Sequence, residues 1–234
     1  MAQPSASGLA PVWDLPLRLF HWALVVSVLV ALVTAQIGGD AMRWHGWAGQ
    51  AVLVLLAFRL AWGFVGGHHA RFVNFLPTLS RWRAYRASRE HPAGHSPLGA
   101  LSVFFALALL LVQGVLGLVA NDEVVLQGPW AQRIPEELSL LLTAWHRRMG
   151  NVVWAWVGLH LLAMVFYASV LKRPLWRRML SGGTDRSGRA GGATILRLGF
   201  AVAVAFGGYG VIRTGEPVAA TSPSQAPAVA EPAW

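Results

Sequence analysis

Apolar residues in this chain come in long, nearly unbroken runs separated by arginine-rich or acidic stretches, a pattern unlike the one-sided stripe of a soluble helix. Four runs, 17–37, 44–65, 98–120 and 145–171, each reach the roughly 20 residues that a helix needs to cross a hydrocarbon core. A weaker fifth covers 194–212. The pattern predicts an all-α integral membrane protein: a transmembrane domain of four helices over 12–180, a cytoplasmic linker over 181–193 and an extra C-terminal transmembrane helix over 194–212. Residues 1–11 and the Pro/Ala-rich stretch 213–234 have compositions that build no core, and disorder is expected there. The first run ends in small residues, "ALVTAQ", as a cleaved signal does. Asp14, Arg18 and His21 at its start, and its length, favour a retained span.

Composition agrees: 55% of the 234 residues are hydrophobic and 12% are charged, too few charges for an ordinary soluble domain. The net charge of +9 comes from arginines that flank the apolar runs, so it reads as membrane orientation, and nucleic-acid binding is set aside. The loop 66–97 carries Arg71, Arg81, Arg83, Arg86 and Arg89, and the segment after the fourth run carries Lys172, Arg173, Arg177, Arg178, Arg186 and Arg189. Both are expected on the cytoplasmic side, which puts the N-terminus inside. The opposite loop, "NDEVVLQGPWAQRIPEEL", holds Asp122, Glu123, Glu136 and Glu137, the last two expected to cap or solvate a short helix. Trp13, Trp22, Trp44, Trp47, Trp145 and Trp176 are expected to anchor the spans at the interfaces.

The chain has no cysteine, which excludes disulfides, iron–sulfur clusters, thiolate-bound metals and thioether-attached haem. Histidine is left to carry any metal chemistry. His146 and His160 are fourteen residues apart on the fourth run, about 21 Å of rise and within about 40° of the same face. His146 is expected near the outer surface, where that helix begins, and His160 deep toward the cytoplasm. His21 enters with the first helix from the cytoplasmic side, and His45 opens the second from the outer side. Each depth therefore holds two histidines from different helices: His21 with His160, and His45 with His146. Two imidazoles facing each other across a bundle can hold one six-coordinate haem iron, with no open position, which favours electron transfer over oxygen binding. The plain alternative for any single intramembrane histidine is an interhelical hydrogen bond.

Small and basic residues bear on that choice. Gly49 and Gly150 each follow a histidine by four, removing side chains one turn along the same face where a macrocycle would lie. The third run offers Gly114 and Gly117 but no histidine. Arg43, Arg147 and Arg148 lie on the outer side, where positive charge is disfavoured, and haem propionates would offset them. Arg59, fourteen residues after His45, reaches the inner level, where it either pairs with a propionate or snorkels to the interface. His68, His69, His91 and His95 fall in the inner loop and read as solvated turns. His95 alone, in "GHSPLG", suggests either a proton relay at a quinone site or a fixed helix entry.

The segments "WDLPLRLFHWALV", "WHGWAGQAVLVLLAFRLAWGFVG", "GHSPLGALS", "GLVANDE" and "WHRRMGNVVWAWVGLHLLAMVFY" resemble the bacterial cytochrome b561 and nickel–iron hydrogenase b-type cytochrome group over about 12–180. The resemblance implies a four-helix bundle in a bacterial inner membrane, with two non-covalent haems b ligated at His21, His45, His146 and His160. The fifth helix and tail depart from the group's usual four-helix pattern. The function expected is electron transfer across the membrane between the quinone pool or another donor and a periplasmic acceptor, such as a c-type cytochrome or a redox subunit. A superoxide:quinone oxidoreductase, or the membrane subunit of a dehydrogenase or hydrogenase, fits the same class, and a homodimer is left open. The alternative of another class is a transporter using its histidines for protons or divalent metal. Colour separates these: a b-type spectrum belongs to the first class alone.

Overall fold

The computed structural model describes residues 12–87, 94–124, 126–183 and 195–215. Among these residues no strand forms, and the chain makes seven α-helices: α1 (Leu15–Ile37), α2 (Met42–Val65), α3 (Leu79–Ala87), α4 (Pro97–Leu118), α5 (Glu136–Ser169), α6 (Leu175–Ser181) and α7 (Ile195–Arg213). Five of them, α1, α2, α4, α5 and α7, are long and apolar enough to cross a membrane, in agreement with the five runs. The expected disordered segment 1–11, most of the linker 181–193 and nearly all of the tail 213–234 lie outside the described residues, as does His91.

Local chemistry sets the helix ends. Asp14 caps α1 by accepting from Leu17 N at 3.0 Å, with a proline in the first turn. Ser96 caps α4 in the same way, accepting from Gly99 N at 3.1 Å, and again a proline follows. Gly38 and Gly39, both at positive φ (70° and 53°), turn the chain directly from α1 into α2, a conformation that side chains resist. One boundary departs from expectation. Glu136 and Glu137 do not belong to a separate short helix: they form the first turn of α5, where carboxylates favour the positive end of the helix dipole. His146 therefore lies ten residues, about 15 Å, inside α5 instead of at its start.

α2 is the central helix, packing against α1, α4 and α7, while α4 also packs on α5. α1 and α5 are not among the closely packed pairs. They are joined by an apolar cluster of Leu32, Leu109 and Val153. At the end where α1 begins, α6 folds back from α5 onto α1. Trp13 N donates to Gly182 O at 2.9 Å, Trp22 Nε1 to Met179 O at 3.5 Å, and the Arg18 guanidinium to Leu180 O. Large apolar side chains such as Phe64 and Leu162 are exposed on the outside of the bundle, the surface that lipid covers. Because lipid is as apolar as leucine, burial from water does not hold these helices together; close packing and polar contacts do. Gly63 shows the closeness, since a Cβ there would fall 2.0 Å from the Phe72 ring. Trp22, Trp44, Trp47, Trp145 and Trp176 stay exposed, as interface anchors require, but Trp13 is buried against His95.

Candidate functional site

Between the halves of α1, α2, α4 and α5 at the His45 end lies a cavity of about 780 Å³. His45 and His146 enter it from opposite helices, with ring centroids 5.9 Å apart and planes at 85°. Each imidazole is held by main chain: His45 Nδ1 lies 2.9 Å from Ala31 O, and His146 Nδ1 3.0 Å from Gln113 O. A carbonyl can only accept, so in each neutral ring Nδ1 carries the proton and Nε2 holds the lone pair, that of His146 lying 3.4 Å from Gln113 Nε2. That is the state a metal-binding histidine needs, with its other nitrogen oriented by a hydrogen bond.

The cavity lining fits a flat macrocycle. A Cβ on Gly49 would meet nothing within 4 Å, and one on Gly150 only Gln113 Nε2 at 3.8 Å, so at both positions the missing side chain leaves space in the cavity wall. Gly117 has a different task. Its Cβ would come 3.1 Å from His146 Cε1, so this glycine lets the ring lie against α4. Gly114 similarly admits Leu53. The ring separation is close to the roughly 6 Å that two metal–nitrogen bonds of about 2 Å and two ring radii require. Among the described residues no three His, Asp or Glu side chains gather as they would around a bare ion. A two-histidine site suits a group that brings its own in-plane ligands.

Gln113 is a site residue that the sequence expectations passed over. Its carbonyl orients His146, its side-chain Nε2 donates to His146 O at 3.1 Å, and the same nitrogen lies 3.4 Å from His146 Nε2. Its Oε1 is buried without a partner. A signal existed, for Gln113 is the lone polar side chain in "ALALLLVQGVLGL". The Ala31 carbonyl had none, because every residue has one.

The arginines divide. Arg43 and Arg147 line the cavity, whereas the Arg148 guanidinium packs over the Trp145 ring, 5.5 Å from its centroid, and does not. Arg59 neither snorkels nor opens onto the cavity. It is only 2% exposed, covered by Phe72 at 4.5 Å and Phe75 at 6.0 Å, and its Nη1 is buried without a partner.

At the other depth, His21 stands on α1 and His160 on α5. His21 is half-buried with Nδ1 unpartnered, and His160 is exposed on α5. On the turn that carries His21, Trp22 donates to Met179 O and Arg18 to Leu180 O, so this histidine stands by the α6 fold-back. His95 stacks on Phe75 at 4.3 Å and meets Trp13 edge-on at 4.5 Å. Burial, reinforced by Arg59 and then His69, pushes its pKa down to about 3. A group that stays neutral at physiological pH is a poor proton relay, so its packing at the entry of α4 is the role the structure supports.

Comparison with known proteins agrees with this architecture. The model of the family described as prokaryotic cytochrome b561 matches residues 12–182. A probable Ni/Fe-hydrogenase B-type cytochrome subunit from Azotobacter chroococcum mcd 1 is 33% identical over 153 residues, covering 53% of this chain and 64% of the relative. The protein of the same name from Azotobacter vinelandii is 31% identical over 153 residues, with the same coverage. A probable Ni/Fe-hydrogenase 1 B-type cytochrome subunit from Escherichia coli (strain K12) is 24% identical over 132 residues, covering 43% and 56%. The chain thus spans just under two thirds of the first two relatives, and no solved structure matches it. α7 lies outside the matched segment. A bundle of apolar helices with opposed histidines, matched over residues 12–182, makes the chain a member of the prokaryotic cytochrome b561 family.

Proposed function

We propose that this membrane protein is a di-haem b-type cytochrome that passes electrons across a bacterial inner membrane. His45 and His146 would hold one haem b and His21 and His160 the other. The observation that carries this is the pair of opposed imidazoles, each oriented through Nδ1 by a main-chain carbonyl, across a cavity of about 780 Å³. When bound, each haem supplies a one-electron iron centre. The chain does the rest. The Ala31 and Gln113 carbonyls orient the outer ligands, Gly49 and Gly150 leave room for the ring, and Arg43 and Arg147 offer charge to propionates. Leu32 and Val153, packed with Leu109, give the cavity an apolar wall that excludes water. Arg59, sealed at the inner level, acts on the inner haem through its field.

The arginines of α3 and α6, with Arg71, Lys172 and Arg173, support a cytoplasmic side for the His21 end and the N-terminus. The relatives named as hydrogenase cytochrome subunits support a redox subunit as partner; in this reading it docks at the His45 end, and membrane quinone is the other electron carrier. The test is a pair of measurements. The purified protein should show a reduced-minus-oxidised b-type spectrum, and vesicles containing it should pass electrons from external dithionite to enclosed ferricyanide. A colourless, folded preparation would turn the function toward transport, and a coloured one that leaves enclosed ferricyanide oxidised would remove the transmembrane role.

A further inference from the structure

The start of α1 is held by one carboxylate with several tasks. Asp14 accepts from Leu17 N at 3.0 Å, from Trp62 Nε1 at 3.1 and 3.2 Å, and from Gly67 N at 3.2 Å. The first bond caps α1, and the others tie that cap to the last turn of α2 and the residues after it. Trp62 is fully buried, so the join is internal. His21 follows Asp14 by seven residues, two helical turns, on the helix so anchored.

Asp14 also faces an unusual charge. Arg59, one turn before Trp62 on α2, is 2% exposed, and Asp14 is the anion whose field it feels. Among the described residues the other carboxylates, Asp40, Asp122, Glu123, Glu136 and Glu137, all lie in connections or a helix start at the His45 end. Asp14 is therefore the sole described carboxylate at the end of the bundle that holds Arg18, Arg59, Arg71 and the arginines of α3 and α6. A buried guanidinium without an opposing charge is costly, and a charge in a low-dielectric interior acts at long range.

We infer that Asp14 is a positioning and charge-setting residue for the His21 and His160 site: its carboxylate fixes the helix that carries His21 and offsets the buried Arg59. The inference rests on the proposal that this pair holds a haem. It separates two effects of one side chain, because asparagine keeps a cap and hydrogen-bond acceptor while losing the charge, and alanine loses all three.

The experiment uses the full chain, purified with its haem, and reads haem content and a spectroscopic redox titration resolving both components. Loss in His160→Ala identifies the inner one. Asp14→Asn should retain both haems and shift the inner midpoint upward alone, because a negative charge has gone. Asp14→Ala should lose inner haem and keep the outer spectrum. Arg59→Gln should shift the inner midpoint downward, and the Asp14→Asn/Arg59→Gln double variant should return it toward the wild-type value, a readout available even if Asp14→Asn alone folds poorly. Unchanged midpoints in the variants that fold, a shift of the outer component alone, or a double variant no closer to wild type would overturn the inference. Wild-type protein without haem would instead overturn the proposed function on which it rests.

Discussion

His45 and His146 face each other across the bundle with ring centroids 5.9 Å apart, and each is turned by a hydrogen bond from Nδ1 to a carbonyl on a neighbouring helix. Each ring is thus aimed by a helix other than its own: α1 orients the α2 histidine, and α4 orients the α5 histidine. If both serve one haem, His45→Ala and His146→Ala should abolish the same spectral component and leave the second intact. His21→Ala and His160→Ala should both abolish that second component. Difference spectra of the four variants check the pairing, and loss of different components within a pair would show it to be wrong.

The glycine gaps give a steric prediction. A Cβ on Gly49 would meet nothing within 4 Å, so Gly49→Val should leave the helices folded, apart from a propensity difference of about 1 kcal/mol or less. It should nevertheless remove the outer haem, because the added methyls occupy the cavity. Circular dichroism unchanged with outer haem absent is the expected result. Full haem content would mean that the macrocycle does not lie over this face.

The two neighbouring outer arginines should be unequal. Arg147 lines the cavity and Arg148 packs over Trp145, so Arg147→Gln should lower the outer haem's midpoint more than Arg148→Gln does. The sign follows from losing a positive charge that favours the added electron. The size should be on the order of tens of millivolts, because exposure and salt screen the interaction. A redox titration resolving both components measures it, and the inner midpoint should barely move.

Acid should weaken the His21 end through His95. Its folded pKa, about 3, lies below the unfolded value near 6.5, so between these limits the unfolded chain binds more protons. The stability from keeping His95 neutral is present above about pH 6.5 and is lost as pH falls toward 3, at up to about 1.4 kcal/mol per pH unit. Melting temperatures from pH 7 to 4.5 should fall less steeply for His95→Gln than for the wild type. Parallel slopes would show that His95 is not the acid-sensitive group.

The spans were legible because membrane helices must be long, apolar and internally hydrogen-bonded, and that constraint is written in composition. The meeting of His45 with His146 was legible from their matched depths on two helices. What composition could not convey was side-chain direction. Arg147 and Arg148 are adjacent and chemically identical, yet 100° of helical rotation puts one on the cavity and the other over a tryptophan. Arg59 lies at the depth that the fourteen-residue spacing implies, but its burial depends on Phe72 and Phe75 in the loop beyond α2, and no pattern within α2 signals that. The start of α5 was misplaced because "EELSLLLTA" is too polar to count as membrane span although it is good helix, so a hydropathy boundary and a helix boundary differ.

The central claim is that two histidine pairs hold two haems in one chain. Pyridine haemochrome against protein mass from amino-acid analysis tests it most directly, on folded protein prepared with haem in excess. Two haems b per chain is the predicted result, falling to one in His146→Ala. One haem per chain in the wild type would contradict it.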